Sequence, residues 1–140
     1  MDTLARPAEA RRAPATLWLL RCVITVHLMA VLGQPVFAGL FLTGDVKAIQ
    51  VHAMVGSMLA AFDLLVIVAA LLHVIGGRGR FWVLPVAVVL FLAVGLQIGM
   101  GYARILQVHV PLGVAIVTAS VLLAIWVWSP SSRRPRGGVR

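Results

Sequence analysis

The sequence predicts an all-α integral membrane protein, an up-down-up-down four-helix bundle made of two repeated helical hairpins. Composition is the first reason. Of the 140 residues, 61% are hydrophobic and only 11% are charged, and the mean hydropathy is +1.04. Because a soluble domain carries about 25% charged residues, this chain has too little polar surface to face water on all sides. Its main partner is therefore expected to be the lipid bilayer.

Four long apolar runs are the second reason. A transmembrane helix needs about 20 consecutive apolar residues, and each run meets that length. The first run exceeds the core of a signal peptide, which is about 7–15 residues, so we interpret it as a helix. The predicted spans are about 17–42, 48–75, 81–103 and 105–127. Together they form a transmembrane domain, residues 17–128, between two basic tails, residues 1–16 and 129–140; the second tail is expected to be disordered.

The placement of basic residues predicts the topology. Ten of the twelve Lys and Arg residues lie in the two tails, at Arg21 or in the loop between the second and third runs, and only Lys47 and Arg104 lie on the other side. The positive-inside rule then places both termini in the cytoplasm and makes the protein a multi-pass protein of the plasma membrane. Arg21 is expected to extend to the headgroups. Orientation in the bilayer also explains the net charge of +8, so no nucleic-acid partner is predicted.

An internal repeat divides the chain into two hairpins. The motif Gln-Val-His, with a glycine four residues after the histidine, occurs at 50–56 and again at 107–113. Its two histidines, His52 and His109, are 57 residues apart (109 − 52). Both copies open an apolar run in the same direction, so an axis along the membrane normal is expected to relate them.

Each hairpin also carries one glutamine in its first helix, Gln34 and Gln97. At about 1.5 Å per residue, the histidines lie roughly 5–8 Å and the glutamines about 9–12 Å below the outer helix ends. These four side chains are therefore expected to form one polar layer in the outer half of the bundle. Polar groups in hydrocarbon are costly, so they should face the bundle interior and find partners there.

Two interpretations of this layer remain open at this point. In one, hydrogen bonds between glutamine and histidine only hold the helices together. In the other, His52 and His109 are the two axial ligands of a haem b iron, because bundle cores commonly hold cofactors and histidine is a standard haem ligand. In the second interpretation, Gln34 and Gln97 are expected to orient the two rings.

The residues around the histidines fit the haem interpretation. Gly56 and Gly113 lie one turn beneath each histidine on the same face, where a flat macrocycle needs a small neighbour. Lys47 and Arg104 are the only positive charges on the outer side, so they are candidates to pair with haem propionates. The alternatives are that the glycines allow close helix packing and that the charges belong to ordinary loops.

A second polar pair is predicted deeper in the membrane. Asp63 lies in the middle of the second run, and an intramembrane carboxyl is a functional hypothesis by default. His27 in the first helix falls at similar depth, roughly 22 Å below the outer end against about 24 Å for Asp63. A proton relay, a substrate contact and an internal salt bridge are all consistent with such a pair. The matching position in the second hairpin is Ser120.

These residues resemble those of two groups of proteins. One is a set of small four-helix actinobacterial membrane proteins of unknown function, with a Gln–Ala-Gly, His–Gly, Gln and His pattern. The other, more distant, is one four-helix half of haem A synthase, which implies haem ligation by His52 and His109. The positions that carry the first resemblance are Gln34, Ala38, Gly39, His52, Gly56, Gln97 and His109.

The sequence therefore favours a membrane haem protein for electron transfer or haem handling, with a redox partner or a quinone. The alternatives are a cofactor-free accessory subunit, within a larger membrane complex or a homodimer, and a small proton-coupled carrier using His27 and Asp63. No nucleophile–base constellation, phosphate loop or zinc motif occurs in the sequence, which argues against hydrolytic chemistry. Whether the protein is an enzyme stays open.

Overall fold

A computed structural model describes residues 13–134, and these residues form an all-α four-helix bundle, as predicted. All four long helices have the length and apolar composition needed to cross a membrane. A short 3-10 helix, η1, follows the last of them. The elements are α1 (Ala15–Leu42), α2 (Val46–Ile75), α3 (Val83–Tyr102), α4 (Leu106–Trp128) and η1 (Pro130–Arg133).

The helices pack in chain order around a common axis. Helix α1 packs against α2 and α4, and α3 packs against the same two helices. Consequently α2 and α4 lie diagonally across the bundle and run in the same direction. Side chains that point inward from α2 and α4 therefore face one another across the axis.

The core is apolar along most of the axis, and the outer surface is apolar as well. Exposed large side chains such as Met29, Leu42 and Ile75 have no reason to be buried when lipid is the solvent. The buried side chains include Leu20, Ile24, Val31, Leu59, Val66, Ala69, Ala70, Ala87, Leu90, Val94, Ile116, Leu123 and Val127.

The tight connections on one side of the bundle need unusual backbone conformations. In the α1–α2 turn, Gly44 has φ +106° and Asp45 caps α2 by accepting from the backbone N–H of Lys47 at 3.0 Å. In the α3–α4 turn the left-handed position is occupied by Arg104, at φ +57°. A side chain at such a position costs about 1–2 kcal/mol, which glycine avoids.

The segment after α4 differs from the prediction of a disordered tail. Residues Pro130–Arg133 form η1, and the single hydroxyl proton of Ser132 is shared between the carbonyl oxygens of Val127 and Ser129, each 2.8 Å from Oγ. These bonds satisfy carbonyl groups that the end of a helix leaves unpaired. The remaining parts of the two predicted tails, residues 1–12 and 135–140, lie outside the described residues.

The glycine-rich loop between α2 and α3 covers His73, which is 1% exposed. Gly79 donates its N–H to the carbonyl oxygen of His73 at 2.9 Å, and a Cβ on Gly79 would overlap the His73 imidazole. We expect Gly79→Ala to lower the free energy of unfolding by about 1–3 kcal/mol, the usual effect of overpacking. Thermal unfolding in detergent measures it.

Gly39→Ala is the matched control, because a Cβ there meets nothing within 4 Å. Gly39 lies inside α1, where alanine is favoured over glycine by about 1 kcal/mol. The control should therefore melt at the same temperature as the native protein or higher. Equal melting temperatures for the two variants would contradict the tight fit around His73.

Candidate functional site

The bundle brings together the two histidines of the repeated motif. His52 on α2 and His109 on α4 lie across the diagonal, with ring centroids 6.1 Å apart and ring planes inclined by 59°. Both side chains are half-buried. They lie in the end of the bundle that carries the two tight turns.

Each histidine is held by the neighbouring helix of its own hairpin. Nδ1 of His52 lies 3.0 Å from the backbone oxygen of Gln34, and Nδ1 of His109 lies 2.9 Å from that of Gln97. Because a carbonyl oxygen only accepts, Nδ1 must be the protonated nitrogen that donates. In a neutral ring, Nε2 then carries a free lone pair, and within residues 13–134 it makes no hydrogen bond.

This arrangement is the one that metal-binding histidines commonly adopt. A ligating imidazole usually donates its second N–H to a carboxylate or a backbone carbonyl, which fixes the tautomer and the orientation of the ring. Here the same fixing bond occurs twice, with nearly equal lengths. The bonds also join α1 to α2 and α3 to α4, so they serve helix packing as well.

The glutamine side chains do not make the contacts that a Gln–His hydrogen bond requires. The histidines bind the glutamine backbones, and the amides lie against the glycines instead. A Cβ would fall 3.4 Å from Gln34 Oε1 at Gly56 and 2.9 Å from Gln97 Nε2 at Gly113. Within residues 13–134, Gln34 Nε2 and Gln97 Oε1 are buried without a hydrogen-bond partner. Gly113 thus makes room for the Gln97 amide, whereas a Cβ on Gly56 would make an ordinary contact with the Gln34 amide.

The separation of the two rings suits a single metal ion between them. A metal–imidazole bond is about 2.0–2.1 Å long, so two opposed imidazoles on one ion have centroids roughly 6–6.5 Å apart. In residues 13–134, no group of three or more His, Cys, Asp or Glu side chains could hold a metal ion. A metal held by the two histidines would need further ligands, and the four nitrogens of a porphyrin are one source of them.

The two predicted outer charges lie in the turns next to this layer. Lys47 is exposed in the first turn of α2, and Arg104 is exposed in the α3–α4 turn. Neither makes an ion pair within the described part of the chain. Both are therefore free to contact an anionic group near His52 and His109.

The second polar pair is buried in the middle of the bundle. His27 Nε2 lies 2.9 Å from Asp63 Oδ1, and the two side chains are 2% and 0% exposed. The contact is oblique, since neither atom makes a well-aligned hydrogen bond. Asp63 Oδ2 and the hydroxyl of Ser120, a residue that is 1% exposed, also lack hydrogen-bond partners in the described part of the chain. Asp63 lies about 16 Å below His52 along α2, so this pair is separate from the histidine layer.

Sequence reasoning missed one residue of the histidine layer, Gly101. A Cβ at this position would lie 2.9 Å from His109 Cε1, so only glycine lets the ring pack against α3. Gly101 follows Gln97 by four residues and therefore shares its helix face. That spacing was the signal available in the sequence.

Comparisons with family models, with curated proteins and with solved structures give no match to this chain.

Proposed function

We propose that this protein binds haem b within the membrane through His52 and His109 and serves electron transfer or haem handling. The observation that carries the proposal is the pair of imidazoles 6.1 Å apart, each held through Nδ1 by a backbone carbonyl. The Nε2 atom of each ring makes no hydrogen bond within residues 13–134, and we propose that one iron takes both lone pairs. When bound, haem would supply one-electron iron chemistry.

The remaining residues of the layer have defined roles in this proposal. The backbone oxygens of Gln34 and Gln97 keep the rings in the ligating tautomer. The unpaired amides of the same residues offer hydrogen bonds to a polar group of the ligand. Lys47 and Arg104 balance the charge of propionates at the outer end of the bundle. The duplication of the hairpin, also part of the proposal, accounts for the likeness of the two halves of the site.

The proposal includes the location of the protein. The four apolar helices support a multi-pass membrane protein, and the bias of basic residues toward one side supports cytoplasmic termini in the plasma membrane. The haem layer then lies in the outer half of the bilayer, within reach of an external redox partner or of a quinone in the lipid.

The decisive experiment is an absorption spectrum of the detergent-purified protein, oxidised and dithionite-reduced. We expect a Soret band with sharp bands in the reduced state. A protein that stays colourless, even after haem is added, would refute the proposal. It would leave the rival function, a cofactor-free accessory subunit whose polar layer only holds the helices together.

Arg104 allows a test that separates ligand binding from stability. Arg104→Gly relieves the left-handed position at φ +57° and should raise the melting temperature or leave it unchanged. It should weaken haem binding up to about fivefold, the effect of losing one exposed ion pair of up to about 1 kcal/mol. Haem titration of the apoprotein, beside a thermal melt, measures both quantities.

Arg104→Lys is the control, since it keeps the charge and the backbone conformation. It should bind haem like the native protein. Haem affinity that is the same for the glycine and lysine variants would show that Arg104 serves the turn alone.

A further inference from the structure

The sequence predicts that Arg21 extends into the headgroup layer, but its side chain is buried inside the end of the bundle. Its side chain is 1% exposed, and Nε donates to the backbone oxygen of Val127 at 3.0 Å. This bond caps the end of α4, where unpaired carbonyl groups favour a positive charge. It uses one of the five N–H donors of the guanidinium, and Nη2 is buried without a hydrogen-bond partner among residues 13–134.

Two tryptophans enclose this guanidinium. Arg21 Cζ lies 4.9 Å from the ring centroids of both Trp18 and Trp128, and the two indoles meet edge to face at 5.7 Å. Trp128 Nε1 also donates to Thr25 Oγ1 at 3.2 Å. Trp18 and Trp128 are 48% and 49% exposed. The guanidinium therefore lies behind two indoles that are exposed on the lateral surface of the bundle, where α1 packs against α4.

The charge at this end of the bundle is not balanced within the described chain. Arg133 on η1 is close enough for its charge to act on Arg21. In residues 13–134 the carboxylates are Asp45, in the turn at the opposite end, and Asp63, in contact with His27. Two neighbouring guanidinium groups without a carboxylate repel each other, so an anion between them would be stabilising.

We propose that Arg21, Trp18, Trp128 and Arg133 form a binding site for the phosphate group of an anionic phospholipid. Arg21 lies at the base of this phosphate site, and the exposed Arg133 lies at its edge. Exposed indoles at the end of a membrane helix lie at the level of the lipid headgroups, and basic sites between helices on the cytoplasmic side suit anionic lipid headgroups. The site lies at the opposite end from His52 and His109 and does not depend on haem.

Titration of the full-length protein in neutral detergent with phosphatidylglycerol tests the site, followed by the fluorescence of its tryptophans. Parallel titrations use phosphatidylcholine and inorganic phosphate. We expect saturable binding of phosphatidylglycerol, at least about tenfold tighter than that of either alternative. Equal binding of phosphatidylcholine would overturn the role of the anionic headgroup, and equal binding of inorganic phosphate would overturn the assignment to a lipid.

Two neighbouring arginines provide a matched pair of variants. Arg133 lies on η1 and its charge acts on Arg21, whereas Arg134 is an exposed arginine directly after η1. Arg134→Gln should weaken lipid binding no more than about fivefold, the loss of one general surface charge, while Arg133→Gln should weaken it at least fivefold more than that. Both are surface changes, and an unchanged melting temperature without lipid verifies their folding. Equal losses in the two variants would mean general surface attraction and would overturn the site.

Discussion

Replacing His52 or His109 with glycine should remove the Soret band and weaken haem binding by at least about 100-fold. Changes around a metal ligand already reduce metal affinity about 10–100-fold, and loss of the ligand itself should do more. Each variant removes one of the two proposed iron ligands, the Nε2 atoms of two rings whose centroids lie 6.1 Å apart. Adding free imidazole should restore the band, because it can occupy the space that the missing ring leaves.

The restoration separates ligation from helix packing. If the histidines only join helices, loss of either one removes a single hydrogen bond to a backbone oxygen, worth about 0.6 kcal/mol on average in a membrane. In that case the protein holds no haem, and free imidazole restores no absorption band. Gln107→Ala is the control, since this exposed residue lies two positions before His109 in the same motif. A Soret band that keeps its position and its haem affinity in either glycine variant would refute bis-histidine ligation.

Asp63→Leu should destabilise the protein by about 3–5 kcal/mol, the usual effect of removing one partner of a buried ion pair. The reason is that His27, 2% exposed, loses its polar partner at 2.9 Å. Replacing both partners with leucine should return the stability to the native level or above it, since apolar residues often substitute well for a buried pair. Thermal unfolding in detergent of the two single variants and the double variant measures this coupling.

The double variant also tests what the pair is for. A stable His27→Leu/Asp63→Leu protein that binds haem like the native one would show that haem binding does not need the pair. Proton-dependent uptake by the native protein that the stable double variant has lost would support the proton-coupled interpretation. Additive effects of the two single variants, without recovery in the double variant, would contradict the ion pair itself.

The four-helix membrane bundle can be predicted from the lengths and order of the apolar runs in the sequence. Four apolar runs and their short connections determine helix number, direction and neighbours, because each backbone polar group in lipid must be paired within its own helix. Depth in the bilayer is equally local, since the helical rise is constant. Residue counts therefore suffice to place His27 near Asp63, and His52 near the level of His109.

Side-chain partners needed the tertiary structure. The sequence suggested bonds between glutamine amides and histidines, but the histidines bind the backbone oxygens of Gln34 and Gln97. Such a contact depends on the rotation and spacing of neighbouring helices, which no residue count contains. The same holds for Gly101, whose importance arises from the approach of His109 to α3.

The clearest difference concerns the charged end of the bundle. An arginine one turn inside a helix normally extends to the headgroups, whereas Arg21 is covered by two indoles and bonded to the end of α4. Its position depends on residues 106 or more positions away in the chain. By itself, the sequence determined the bilayer as solvent, the four helices and the depth of each polar residue, because these depend on local composition and helical rise. Only the tertiary structure decided which polar atoms of residues 13–134 are paired and which are unpaired, because that depends on how four helix faces meet.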